Sequence, residues 1–276
     1  MLKVIKIASW PGRFGNKILT TALALYYGYE NDYDFIELPK TKQQFSNTYY
    51  IDLKEDNDIS LNHYEKIDKI KDKKIMPDFW DQDFYKLKMT MYKDKVMQKI
   101  KKLYTLPQKI KKSNEDTLHI HIRSGDIMKK NNGFYMVQPP LAYYCKIIEQ
   151  KKWEKVIIVS EDTINPCINV LINKYKNVEY FGTNVLDIDL IELLSATNIV
   201  SGRGTFIPCL AFFMEDLLTF HYPNDGDYRI HHFIKKHFGK KALRHDDFKV
   251  YYKTIANLGG WNYSDTIKNT MLTIKN

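Results

Sequence analysis

A chain of 276 residues with 44% apolar and 27% charged side chains is long enough to bury one large core or two smaller ones, and too apolar to be disordered throughout. Its formal net charge of +9 brings nucleic acid or a membrane surface to mind. The lysines, however, are spread along the chain (Lys66, Lys69, Lys71, Lys73 and Lys74; Lys99, Lys101 and Lys102) at spacings that suit wet faces, so a solvated surface that attracts anionic phosphates is expected and a nucleic-acid site is not.

Residues Leu2 to Ser9 read as a first strand, and the run from Met1 is too short and too broken by lysines for a signal peptide or a membrane span. A soluble cytoplasmic protein without a transmembrane segment is therefore expected. Pro11, Gly12 and Gly15 suggest a loop, and Ile18 to Tyr27 an apolar helix, the way a Rossmann-type unit begins. Phe35 to Leu38 reads as a second strand, while Lys40 to about Asp58 shows no clear period. Helices are expected over Leu61 to Lys74 and Lys86 to Leu103. Between them Met76 to Tyr85 mixes aromatic and acidic residues that can stack on a sugar ring and bond its hydroxyls, although loop aromatics more often pack on their own domain. Pro107 to Glu115 is basic and polar, like an interdomain connection.

The second half is more regular. Strands are expected at Thr117 to Arg123, Val156 to Ser160, Val178 to Phe181, Asn198 to Ser201 and Leu217 to Tyr222, alternating with helices at Leu141 to Lys151, Pro166 to Tyr175, Ile188 to Ala196 and Phe206 to Met214. That alternation implies a parallel, doubly wound sheet. The chain from Tyr228 reads as helical. Cys145, Cys167 and Cys209 are odd in number and lack metal-type spacing, which speaks against a disulfide framework and fits a reducing compartment.

Polar residues recur where these strands end: Arg123 to Asp126, Ser160 to Thr163, Gly182 to Asn184 and Ser201 to Thr205. In open α/β sheets ligands bind at the carboxyl ends of the strands, and Arg123 carries a permanent, forked charge suited to a nucleotide pyrophosphate. Taken singly, Ser160 to Asp162 or Thr205 would be ordinary helix caps. As a set on one edge they point to a nucleotide site.

His121-x-Arg123-x-Gly125-Asp126 resembles the His-x-Arg-x-Gly-Asp motif of the α1,2-, α1,6- and protein O-fucosyltransferase superfamily. Gly12 to Lys17 is similar to the Gly-x-x-Gly-Asn-Gln motif that opens these enzymes, with Lys17 at the glutamine. Pro140 to Tyr144, Val156 to Asp162 and Asp189 to Phe206 resemble further blocks of the α1,2 group, in the same order, with Gly204-Thr205 in place of a serine pair. The resemblance implies a GT-B fold, two Rossmann-like α/β domains facing a cleft. An acceptor-side domain would cover 1–112, a nucleotide-sugar domain 113–227, and a helical tail, 228–276, would pack at the junction. It implies an inverting glycosyltransferase that needs no metal and moves a sugar from a nucleotide-sugar donor, GDP-fucose favoured, to a glycan hydroxyl.

By the same resemblance Arg123 stabilises the leaving diphosphate, Thr205, Gly204 and Phe206 line the donor site, and His121 and Asp162 meet the base. Asn16, with Arg13 and Gly15, lies near the diphosphate and reacting centre. A carboxylate at Asp162 suits the paired N–H donors of guanine better than the single one of uracil. Asp126 is a candidate base or a scaffold for Arg123. Asp78, Asp81 and Glu37 remain open as bases. Asp187-Ile188-Asp189 opens a helix, where carboxylates are common for dipole reasons, so no metal site is expected there. A UDP-pentose or GDP-hexose donor, or a non-catalytic nucleotide- or sugar-binding protein, stays as the alternative.

Overall fold

The computed structural model describes residues 2–7, 14–39, 59–60, 70–76, 89–104, 110–128, 137–183, 185–225 and 228–274. The chain divides into two compact units, Met1–Gln108 with Pro208–Phe213, and Lys109–Ile207 with Met214–Asn276. Both are α/β and built around parallel strands.

In the first unit, strand β1 (Leu2–Ile7) is flanked in parallel by β2 (Phe35–Glu37) and β4 (Ile70–Met76), while the two-residue β3 (Ile59–Ser60) pairs antiparallel with β2. Helix α1 (Phe14–Glu30) buries Ile18, Leu19, Ala22, Leu23, Leu25 and Tyr26, so its apolar surface runs most of the way round, as in a helix covered on several sides. Helix α2 (Met89–Leu103) buries the narrower stripe Met89, Val96 and Ile100 and packs on α1, where Tyr29 stacks on Tyr92 at 5.8 Å.

Two expectations change in this unit. The helix expected from Ile18 begins at Phe14, so Gly15 lies in its first turn and not in a loop. Gly15 is buried there, and tertiary packing offsets the roughly 1 kcal/mol that glycine costs inside a helix. The helix expected over Leu61 to Lys74 gives way at Ile70 to β4, which registers along the whole of β1, Val4 against Lys73 and Ile7 against Met76; residues 61–69 lie outside the described residues. Pairing to a central strand overrides the weak helical spacing of a lysine-rich segment.

The second unit holds a six-stranded, all-parallel sheet in the order β10-β9-β8-β5-β6-β7. Its strands are β5 (Thr117–His121), β6 (Lys155–Val159), β7 (Val178–Phe181), β8 (Asn198–Val200), β9 (Thr219–Pro223) and β10 (Ala242–His245). Alternation along β5 sends Leu118 and Ile120 into a core shared with α3 (Leu141–Glu149), α4 (Pro166–Lys174), α8 (Lys249–Asn257) and α9 (Asp265–Thr273). His119 belongs to the opposite set and pairs through Nε2 with Glu192 of α5 (Leu186–Ser195) at 3.0 Å. Helices therefore cover both faces, as a parallel sheet requires.

Segment 228–276, expected to be helical throughout, contributes α7 (Tyr228–Phe238) and then β10, which lines up with Phe220 to Pro223 of β9. β10 carries little apolar signal because Leu243 and Arg244 are exposed on an edge strand. Beyond it α9 packs on α3 and α4, and buried Trp261 donates from Nε1 to the Ile127 carbonyl at 2.7 Å. Cys145, Cys167 and Cys209 are free thiols. Among the described residues no helix is long and apolar enough to cross a membrane.

Candidate functional site

The strand order locates the site. From β5 the chain moves outward to β6 and β7, then returns to the other edge of β5 with β8 and continues outward to β9 and β10. The order reverses between β5 and β8, and crevices at such reversals, beyond the carboxyl ends of the strands, are where doubly wound sheets hold ligands. His121 to Asp126 follow β5 and Ser201 to Thr205 follow β8, so the two loops with the strongest sequence signal flank the reversal.

His121 ends β5 and its ring meets the ring of Phe206, the first residue of α6 (Phe206–Leu210), at 5.2 Å between centroids. Burial, and secondarily the charge of Arg123, pulls its imidazole pKa down to about 3. At neutral pH His121 is therefore an uncharged ring with one donor and one acceptor, able to bond and stack but not to add positive charge. Arg123 supplies that charge. Its guanidinium lies beside Gly204, where a Cβ would fall 3.6 Å from Nη1, and its Nη2 is 3.6 Å from Asp126 Oδ2. The two side chains are 27% and 39% exposed, so Asp126 aims the guanidinium with an ion pair worth at most about 1 kcal/mol and leaves it accessible from solvent.

Gly125 explains the glycine between them. Its φ of +57° lies in the left-handed region, and a Cβ there would overlap the Glu161 carboxylate. Glu161 comes from the loop after β6, so the β5 and β6 loops are in close contact. Asp162 binds them tighter: Oδ1 accepts from the Ser124 hydroxyl, the Gly125 N–H at 3.4 Å and the Ile164 N–H at 3.0 Å. Ser124 Oγ in turn accepts from the Asn165 N–H at 3.0 Å, and Asn165 Nδ2 donates to the Arg123 carbonyl at 3.0 Å. One oxygen of Asp162 is thus committed to holding the loops together, and Oδ2, which makes no hydrogen bond among the described residues, is the one left for a ligand.

After β7, Thr183 donates from its N–H (3.2 Å) and hydroxyl (2.9 Å) to Asp189 Oδ1. Asp189 therefore serves as a clasp at the start of α5; Asn184 lies outside the described residues. After β8, Thr205 precedes α6, a helix of five residues continued by a 3₁₀ turn at Ala211–Phe213. So short a helix has little dipole, which reduces the phosphate-binding role expected of its N-terminus to the loop amides and the Thr205 hydroxyl. Arg203 forms a buried ion pair, Nε to Asp225 Oδ2 at 3.3 Å, and His231 Nε2 sits 3.0 Å from Asp225 Oδ1.

In the first unit Gly15 and Asn16 occupy the first turn of α1, with Lys17 buried beside them, and Glu37 ends β2 in a 3.2 Å ion pair with Lys6. Arg13, Asp78 and Asp81 lie outside the described residues, as does all of the aromatic loop after Met76.

The sequence reading held Ser124 and Glu161 only as members of strand-end runs, with no role of their own, and missed Asn165 as part of the site. Asn165 had a signal, because Asn before Pro166 marks a helix start, and it caps α4 by accepting from the Cys167 N–H at 3.1 Å. Asp225 and His231 had none, since Asp225 meets Arg203 and His231 meets Asp225 from separate elements.

No protein family profile matches the chain, and no curated protein does. Among solved structures it is similar to the α-1,6-fucosyltransferase NodZ soaked with GDP-fucose, at 10% identity over 80% of this chain and 94% of that one, with a TM-score of 0.41. It is likewise similar to fucosyltransferase NodZ from Bradyrhizobium (10% identity, 80% and 95% covered, TM-score 0.39) and to NodZ co-crystallised with GDP (9%, 80% and 94%, TM-score 0.39). Alignments this distant leave the site to be read from its own residues.

Proposed function

We propose that the protein is an inverting glycosyltransferase that moves a sugar, fucose from GDP-fucose, to a glycan hydroxyl, with the donor held in the second unit and a two-domain GT-B arrangement. The observation that carries this reading is the place of Arg123. An accessible guanidinium stands beside the glycine loop after β8, at the strand-order reversal of a parallel sheet. In the transfer the acceptor oxygen bonds to the anomeric carbon as that carbon's bond to phosphate breaks, and the diphosphate leaves with the electron pair. Arg123 meets the charge that grows on the leaving group, a stabilisation that removing one donor typically lowers by 10²–10³ in rate. The acceptor's proton goes to a base among Asp126, Asp78, Asp81 or Glu37, or to solvent. His121, uncharged, and Asp162 through Oδ2 are the groups for the base of the nucleotide, and Gly204, Thr205 and Phe206 line the donor. Asn16, with Arg13 and Gly15, is assigned to the donor diphosphate and the reacting centre.

The test is Arg123→Ala, assayed with GDP-fucose and a panel of glycans. Turnover should fall by about a hundredfold or more, while the melting temperature stays within a few degrees because the ion pair with Asp126 is partly exposed. Near-normal transfer by that variant would sink the proposal, and nucleotide binding without turnover on any acceptor would leave a binding protein.

A further inference from the structure

Arg203 lies between Gly202 and Gly204 in the loop that passes Arg123, and it is the loop's one long side chain. Gly204 has a φ of +124°, a region L side chains rarely adopt. Two glycines give this loop more conformations to lose than any other residue pair would, so a loop of this composition is not rigid by its backbone alone. One of its attachments is charged and buried. Arg203 and Asp225 have side chains only 9% and 2% exposed, and His231, 7% exposed, holds the second oxygen of Asp225. A buried pair seldom adds net stability over apolar packing, and its best-attested use is to fix one arrangement among several. Here it fastens the β8 loop to two later elements: Asp225 follows β9, and His231 lies on α7.

We propose that Asp225 and His231 are positioning residues for the nucleotide site, acting through Arg203 to hold the Gly202–Thr205 loop in the arrangement that meets the terminal phosphate of a nucleoside diphosphate. This rests on the donor-site reading above and goes beyond it: neither residue belongs to the four strand-end runs of that reading, and neither is placed against the ligand. Asp225 keeps Arg203 from swinging across the loop, and His231 keeps Asp225 from rotating. The arrangement is set before the ligand arrives, so the diphosphate does not have to order the loop when it binds.

Isothermal titration of GDP and GMP with the full chain tests this; UDP and UMP replace them if the uridine nucleotide is the one bound. His231→Phe removes the bond to Asp225. It should weaken diphosphate binding roughly tenfold and monophosphate binding less than about twofold, because only the terminal phosphate depends on the loop. His231→Gln, which restores a donor near Nε2, should recover binding to within about threefold of wild type. If His231→Phe does not melt cooperatively, Arg203→Lys carries the test, since it keeps the charge and loses the fork; the same selective loss is expected. Unchanged diphosphate affinity in the folded variants, or equal weakening of both nucleotides, overturns the positioning role while the nucleotide site stands. A wild-type protein that binds neither GDP nor UDP overturns the site itself and this inference with it.

Discussion

Asp162 accepts three hydrogen bonds through one oxygen, and two of the donors belong to the β5 turn while the third belongs to its own loop. Removing it leaves Ser124 Oγ, Gly125 N and Ile164 N to find other partners. Asp162→Ala should therefore cost about 2–3 kcal/mol, read from urea unfolding, before any effect on a ligand is considered. Gly125→Ala tests the same joint from the other side. The left-handed φ alone costs about 1–2 kcal/mol for a residue with a Cβ, and the overlap with Glu161 adds to it. Pairing it with Glu161→Ala should recover the steric part and leave the backbone part. These residues explain how much of the site was legible from the sequence. Arg123 and Gly125 stand out because a strand ends there and turn residues follow. Asp162 was legible as a strand-end carboxylate, yet its bond to Ser124 was not, because that contact depends on two loops meeting.

At the scale of elements, β9 and β10 are joined by more than their ladder. His221 Nδ1 and His245 Nε2 lie 3.1 Å apart, so one ring donates and the other accepts, and Tyr143 packs edge-on against His245. Burial, then the neighbouring His245, lowers the His221 pKa to about 3; burial, then Lys146, lowers that of His245 to about 4. The folded chain thus keeps both rings neutral where the unfolded chain, with histidines near 6.5, takes up protons. Stability from this pair is complete above about pH 6.5 and declines as the pH falls from there toward 4, at up to about 1.4 kcal/mol per pH unit for each ring. Thermal melts between pH 7 and 4.5 should show that decline, and His221→Gln should flatten it. Trp261 fixes the last elements in the same way, so Trp261→Ala should cost about 3–5 kcal/mol. The strands of the second unit were readable because buried parallel strands are short continuous apolar runs, as in Val156 to Val159. β4 and β10 were not, since Lys71 to Lys74 and Leu243-Arg244 show a strand only once a neighbour is present.

For the whole molecule, the proposed chemistry sets the fixed charge of Arg123 in the place where other enzymes use a cation. Transfer should accordingly survive chelation by EDTA within about twofold, and a larger loss would return the leaving-group role to a metal. A nucleotide that binds only the folded chain adds about 2.7 kcal/mol of stability at a hundredfold excess over its Kd, so a melting panel of GDP, UDP and their sugars identifies the base directly. Because the chain has two compact units, the shift should appear in the transition of the one that holds the site. The placing of β5 also has a consequence for how the protein is made. As the chain leaves the ribosome, β5, β6 and β7 can associate in turn, but one side of β5 stays bare until β8 arrives, with Asn198 bonding to Thr117 from 81 residues further on. The strand that leads into Arg123 is, for that interval, an unpaired apolar edge. Slow translation between residues 160 and 200 should favour aggregation of the nascent chain over any other single pause.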